Sequence, residues 1–434
     1  MTVLRSLLIP IALPYPPLSG RDLRNWQNAW CLSRISRLGV YSLYSNDRVC
    51  DVIPPLQLEF WRHSPDATRI PAPNQIIHAR AWPFDPMGHP ADLHYLENVA
   101  NDIAAILASF NPDLVVIEGL SLYRYIDIVK QSHSRVVLDC HNVEAMLFQE
   151  IADKSYGGHL RARLIQDLLP VRTKLIEQNA VRSVDQIWVC SDADASSFKA
   201  LYGTSTPIHV VPNGLDVTSY GPAVVGRSYR AEGSENSGKT LIFPAAFEWE
   251  PNAVAVSFLL NELFPRLVNT FPDCRLLFAG RDPTPEMIMA SRNDSRILVT
   301  GDVPDIRPYL AAATAMVVPL FQGGGTRFKI LEAFAASVPV VSTAKGAEGL
   351  AVENGKHLLI AETANEFMNA INRLWVEEDL GRRLAANGLQ LVTESYSFPV
   401  INQKIGHAVH ALLLSADDHK MTSAALASIS TSSK

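Results

Sequence analysis

Short apolar runs recur along the whole chain, each followed by a longer stretch with helical spacing. In the first half they fall at residues 7–13, 114–118, 136–139, 186–190 and 208–211. In the second half they fall at 241–243, 275–279, 296–300, 315–319 and 339–342. Runs that are apolar on both faces suit strands buried between helices, and their alternation with helices predicts parallel sheets wound on both faces. A chain of 434 residues is too long for one core and suits two. Between the halves, residues 220–240 are polar, contain glycine and have no period. The reading is an α/β protein of two doubly wound, Rossmann-like domains. The first covers 1–218, a linker or loop 219–240, and the second domain 241–398. A last helix occupies 399–415. The tail 416–434, rich in Ser, Ala and Thr, is expected to be disordered. Open sheets of this kind bind ligands beyond the carboxyl ends of their strands. Two such domains facing each other place the site in the cleft between them.

Charge and cysteine usage narrow the function. The formal net charge of −6 argues against a dedicated nucleic-acid binder. The five cysteines, Cys31, Cys50, Cys140, Cys190 and Cys274, are scattered with no metal-ligand spacing, which favours a reduced, cytoplasmic setting. No apolar run reaches the ~20 residues that span a membrane. Residues 3–13 are apolar but contain Arg5 and run into Tyr15-Pro16-Pro17, so they read as a first buried strand rather than a signal peptide.

The segment 321–335, FQGGGTRFKILEAFA, carries the clearest chemistry. Three glycines, Gly323, Gly324 and Gly325, follow an apolar strand. Thr326, Arg327 and Lys329 then open a helix whose apolar face is Phe328, Leu331, Phe334 and Ala335. Glycines let backbone N–H groups approach an anion, and a helix N-terminus adds unpaired donors and partial positive charge. Arg327 and Lys329 add full charges. One turn into the helix, Glu332 can accept hydrogen bonds from ribose hydroxyls, or pair locally with Lys329.

Three other motifs have competing explanations. Asp192-Ala193-Asp194 has the spacing of metal-binding carboxylates, but Ser191 before it is a natural N-cap, and acids suit a first helical turn. Residues 233–240, GSENSGKT, match G-x-x-x-x-G-K-T literally. A working phosphate loop follows a strand and opens a helix, whereas here a polar segment precedes a strand. A long helical stretch over 156–183, interrupted near Pro170, carries Arg161, Arg163, Arg172, Lys174 and Arg182. That face is either solvated or in contact with anionic lipid.

The glycine segment resembles the donor-binding region of retaining glycosyltransferases of the GT-B type, group 1 or family 4. Matches continue in order through residues 241–252 (LIFPAAFEWEPN), 276–283 (LLFAGRDP), 297–310 (ILVTGDVPDIRPYL) and 210–216 (VVPNGLD), and in the first half through 136–144 and 15–26. The resemblance implies a nucleotide-sugar donor on the second domain, held by Asn213, Arg281, Val303, Gly323, Gly324, Gly325, Thr326 and Glu332. It implies an acceptor approaching Ser19, Gly20 and Arg21, and a last helix crossing back to the first domain. His141 matches a family histidine near the donor sugar and phosphate, where an imidazole N–H stabilises developing negative charge. The sequence departs from the pattern in three places. Arg21 replaces a glycine, which points to an anionic acceptor or to a differently shaped loop. Gly324 stands where the first of two paired glutamates is usual. Ala246 and Pro251 stand near the places of the family's phosphate-clamping Arg and Lys, leaving Arg327 and Lys329 for that role.

These implications define a cytoplasmic, metal-independent enzyme without cofactors. It moves a hexose from a UDP- or GDP-sugar to a hydroxyl acceptor with retention, touching a membrane peripherally if the acceptor is lipid-linked. The rivals are a sugar-nucleotide epimerase on the same fold, a non-catalytic sugar-nucleotide-binding protein and a P-loop ATPase.

Overall fold

A computed structural model describes residues 3–17, 19–45, 53–65, 89–154, 160–221, 239–324 and 327–431. Seven strands form the first sheet: β1 (Arg5–Ile9), β2 (Arg37–Ser42), β3 (Phe60–His63), β4 (Leu114–Glu118), β5 (Arg135–Cys140), β6 (Gln186–Val189) and β7 (Ile208–Val210). Their order is β3-β2-β1-β4-β5-β6-β7, all parallel. Six more form the second: β8 (Thr240–Pro244), β9 (Arg275–Ala279), β10 (Ile297–Val299), β11 (Ala315–Val318), β12 (Val340–Ser342) and β13 (Leu359–Ile360). Their order is β10-β9-β8-β11-β12-β13, again parallel. The strand order reverses between β1 and β4 in one sheet and between β8 and β11 in the other. Those two switch points are where open α/β sheets leave a crevice at their carboxyl ends.

Every strand inferred from an apolar run is present; β4 and β9 keep the inferred ends, and the others shift. The first is Arg5–Ile9 rather than 7–13, because Pro10 has no N–H to give the ladder. β2, β3 and β13 were not expected. In β2, Gly39 interrupts the apolar sequence pattern but not the strand, and it makes room for the Phe60 ring: a Cβ there would lie 2.2 Å from it. β3 is an edge strand, half-buried or exposed along its length. The helix Leu160–Ser183 runs through Pro170 without interruption, held in place by its buried Thr173, Glu177, Ala180 and Val181.

Two apolar layers sandwich the first sheet. One of them is completed by Ile401, Ile405, Ala408, Val409 and Leu412 of the last helix, Phe398–Thr431, which therefore does return to the first domain. That helix continues past 415 into the segment expected to be disordered, a stretch with neither Gly nor Pro to stop it. The chain passes between domains at Leu215 and again at Ser397, and these crossings pair as a parallel bridge. Leu215 and Tyr220 are buried in the second core. Gly214 permits the closeness: a Cβ there would meet Tyr396 O and Ile401 Cγ1 at 2.6 Å.

Candidate active site

In the second domain the glycine segment leaves β11 at the switch point, opposite the loop that follows β8. Gly323 adopts φ 99°, a conformation that favours glycine. The helix Phe328–Ala335 starts with no side-chain cap, and its buried face holds Phe328, Leu331, Phe334 and Ala335 in the core. Lys329 Nζ donates to Asn252 Oδ1 (3.2 Å) and lies 4.3 Å from the centre of the Phe243 ring. Burial pushes its ammonium down to about 7, and the charge of Arg327 adds to the effect. Arg327 turns back onto its own loop. Nη2 donates to Gly323 O (2.6 Å) and Nη1 to Gly324 O, while its buried Nε has no hydrogen-bond partner among the described residues. Glu332 accepts from the Tyr220 hydroxyl (2.9 Å). Burial pushes this carboxyl up to about 7, against the pull of Tyr220 and Lys329. The local pairing of Glu332 is therefore with Tyr220.

The first domain offers a buried ionic network at its own switch point. Glu118 ends β4, Asp139 lies near the end of β5, and His141 follows. Arg24 reaches them from the helix Gly20–Ile35. Its Nε donates to Asp139 Oδ2 (2.7 Å) and its Nη2 to Asp139 Oδ1. Its Nη1 donates to Val211 O (2.9 Å) and Asn213 Oδ1 (2.8 Å). Asn28 Nδ2 donates to Glu118 Oε1 (2.9 Å) and Asp139 Oδ2 (3.0 Å). His141 Nε2 faces Glu118 Oε2 at 3.2 Å and Asp139 Oδ2 at 3.5 Å. Burial disfavours the charged imidazole, but the two carboxylates outweigh it and push His141 up to about 9. Burial drives Glu118 upward, whereas for Asp139 Arg24 overcomes burial and holds the carboxyl far below the usual range. Glu118, Asp139 and His141 can each offer one ligand atom within 4.8 Å of the others. A cation there would have to displace the guanidinium of Arg24, so the set reads as an ion-paired frame.

The two halves of the site meet. A Cβ on Gly324 would lie 3.1 Å from Asn142 Oδ1, and one on Gly20 would lie 3.4 Å from the Phe328 ring. Lys345 Nζ bridges Glu150 of the first domain (3.2 Å) and Glu348 of the second (2.7 Å). Beside this contact lies a 430 Å³ cavity lined by Met146, Leu147, Glu150, Asp194, Gly324 and Lys345, among others.

The remaining expected residues fall as follows. Ser19 caps the helix Gly20–Ile35, accepting from Asp22 N (3.2 Å), and Arg21 is exposed beside Asp22. Asn213 is turned into the buried frame, where Arg24 uses its oxygen. Arg281 follows β9, its Nη2 3.6 Å from Glu248 Oε1. Val303 is half-buried in the loop after β10. Gly325 and Thr326 lie outside the described residues. Sequence reasoning missed Arg24, Asn28, Glu118, Asp139, Tyr220 and Asn252. The one available signal was the helix Gly20–Ile35, whose run of Arg24, Asn25, Gln27 and Asn28 has no solvent-facing period; all four are buried.

Ser191 accepts from Asp194 N (3.1 Å) and caps the helix Asp192–Tyr202, so the acidic pair sits in a first helical turn. Of the G-x-x-x-x-G-K-T segment only Lys239 and Thr240 are described. Thr240 opens β8, and Lys239 Nζ lies 3.9 Å from the centre of the Phe271 ring, an arrangement for cation–π contact rather than phosphate.

Two family models match the chain: "Glycosyltransferase Family 4" over residues 59–219 and "Glycosyl transferases group 1" over residues 238–377. The phosphatidyl-myo-inositol mannosyltransferase of Mycobacterium tuberculosis is 28% identical over 179 residues, covering 41% of this chain and 42% of that protein. Its counterpart in Mycolicibacterium smegmatis is 29% identical over the same length, with the same shares covered. The chain thus spans about two fifths of the length of the curated relatives it matches. Among solved structures, sucrose-phosphate synthase from Thermosynechococcus elongatus superposes with TM-score 0.73 at 16% identity, covering 95% of this chain and 100% of that one. Anabaena HepE in complex with UDP and glucose superposes with TM-score 0.63 at 13% identity, covering 94% and 99%. At these identities the likeness shows the fold, which is GT-B.

Proposed function

Because the chain belongs to the group 1, family 4 glycosyltransferases of GT-B fold, we propose that it transfers a hexose from a UDP- or GDP-sugar to a hydroxyl acceptor in the cytoplasm. The observation that carries this reading is the glycine loop and uncapped helix at the switch point of the second sheet, set against Asn142 of the first domain. The diphosphate lies along Gly323–Gly324 and the helix start, where N–H groups and the cations of Arg327 and Lys329 stabilise it as it leaves. Arg327 reaches it by releasing the loop carbonyls it now holds. Glu332 accepts the ribose hydroxyls. The sugar's bond to phosphate oxygen breaks, a bond to the acceptor oxygen forms, and the acceptor's proton passes to the departing diphosphate. Retention at the anomeric carbon follows from the family resemblance. The cations and helix start supply the charge stabilisation that a metal would otherwise bring.

His141 is the proposed first-domain participant. Its Nε2 is committed to Glu118 and Asp139, so the charge it carries, and its other ring nitrogen, act on the leaving group. The acceptor approaches past Ser19, Gly20 and Arg21 at the start of the helix Gly20–Ile35, where a Cβ on Gly20 would lie 3.4 Å from the Phe328 ring of the donor helix. The mannosyltransferase relatives are named for a phosphatidyl-inositol acceptor. A lipid-linked acceptor here would bring the protein to a membrane surface, and exposed Val171 and Leu175 flank Arg172 and Lys174 on the helix Leu160–Ser183. Among the described residues, no helix is long and apolar enough to cross a membrane.

Saturation-transfer NMR against a panel of nucleotide sugars tests the donor. A UDP- or GDP-sugar should bind, and Arg327→Ala or Lys329→Ala should each weaken it by about 1.5–3 kcal/mol, as for charge-assisted hydrogen bonds. Unchanged affinity in both folded variants removes the reading.

A further inference from the structure

The turn Val217–Tyr220 follows the first crossing between domains, and two contacts fasten it to the donor side. The Tyr220 hydroxyl donates to Glu332 Oε1 at 2.9 Å, and Arg307 Nη1 donates to Ser219 O at 2.8 Å. Arg307 is itself held by Asp305, in the loop that also carries Val303. Tyr220 is only 6% exposed, so its hydroxyl is not simply hydrated. Just upstream, Leu215 N donates to Tyr396 O (2.8 Å) and Phe398 N donates to Leu215 O (2.9 Å). The carboxylate expected to meet the ribose is therefore held by a residue that belongs to the interdomain crossing.

We infer that Tyr220 is a positioning residue for the donor ribose: its hydroxyl fixes one oxygen of Glu332 and keeps that carboxylate an acceptor for the ribose hydroxyls. This rests on the donor site proposed at the helix Phe328–Ala335. An ionised carboxylate offers only acceptors, so it can take two hydroxyl donors; once protonated it offers an O–H as well and no longer matches a diol. Burial favours the protonated form. Lys329 on the same helix and Tyr220 on the turn oppose it, Asp305 on the neighbouring loop aids it, and Arg307 beside Asp305 acts on Tyr220. Removing the Tyr220 hydroxyl takes away the one described hydrogen bond that favours the charged form. It also leaves the carboxylate free to rotate.

UDP-glucose and GDP-mannose suit the test, because their phosphates stay ionised between pH 6 and 9. Each is titrated calorimetrically into wild type, Tyr220→Phe, Glu332→Gln and the double variant at pH 7.5. The phenylalanine keeps the ring in its core site, and the melting temperature checks the fold. For whichever donor binds, Tyr220→Phe should weaken affinity about tenfold. It should also shrink the preference for ribose over the 2′,3′-dideoxy analogue, and add almost nothing on the Glu332→Gln background. Lowering the pH to 6.5 should weaken Tyr220→Phe more than wild type. If Glu332→Gln weakens binding while Tyr220→Phe binds as wild type does, the inference fails and the donor site stands. An equal loss on both backgrounds assigns Tyr220 a packing role and also overturns it. If neither Glu332→Gln nor Lys329→Ala changes the affinity of a donor that binds, the donor site itself is misplaced, and the inference falls with it.

Discussion

Replacing Arg24 with methionine should unfold the first domain far more easily than its position on a helix suggests. Its side chain is 1% exposed and that of Asp139 fully buried, and it satisfies Asp139, Asn213 and the carbonyl of Val211 together. Methionine leaves Asp139 buried beside Glu118, without the guanidinium that offsets the cost of its burial. Breaking a buried ion pair by removing one partner costs about 3–5 kcal/mol. For a domain of roughly two hundred residues that corresponds to a fall of about 6–20 °C in melting temperature. Scanning calorimetry is the assay, read on the first-domain transition, because two domains need not melt together. The double variant Arg24→Met, Asp139→Asn removes the stranded charge while keeping an acceptor for Asn28. It should regain at least ~1 kcal/mol relative to Arg24→Met alone. A shift under about 2 °C for the single variant, or no recovery in the double, would refute the claim that this frame is held by charge.

His141→Ala should lower turnover well over tenfold while changing nucleotide affinity little, because it sits across the cleft and acts on charge that develops during transfer; kcat and KM measured on an identified donor–acceptor pair decide this, and normal turnover returns His141 to a purely structural role. The same residue makes stability pH-dependent. Its folded value is raised to about 9 from an ordinary value near 6.5, so the stabilisation is complete below about 6.5 and is lost as pH rises through 9. Wild type should therefore lose more melting temperature between pH 6.5 and 9.5 than His141→Gln, and parallel curves would contradict the pairing.

The sheets were legible because their strands are apolar on both faces, a pattern that hairpins and surface strands do not show. β2 and β3 escaped because Gly39, the half-buried edge residues Phe60 and Trp61 and the exposed Arg62 and His63 break it. The glycine loop was legible because glycine, arginine and lysine at a strand-to-helix turn have few other uses. The frame around His141 was not. Arg24 and Asp139 are 115 positions apart, and each looks ordinary locally: one polar residue in a polar helix, one acid at a strand end. Only the sheet order brings them together. Tyr220 was hidden for a related reason. The polar residues around it suggested a linker, and nothing local shows that its ring enters the second core.

The central claim is that the donor binds at the glycine loop of the second domain, and two lysines of the same chain test it. Lys239 is the lysine of the literal G-K-T but lies over the Phe271 ring just before β8, whereas Lys329 opens the helix after the glycines. The measurement is a titration of the donor sugar nucleotide into Lys239→Ala and Lys329→Ala, side by side with wild type. Lys329→Ala should weaken binding at least tenfold, and Lys239→Ala should leave it within about twofold. The inverse pattern, with Lys239→Ala abolishing nucleotide binding and Lys329→Ala leaving it intact, would contradict the assignment.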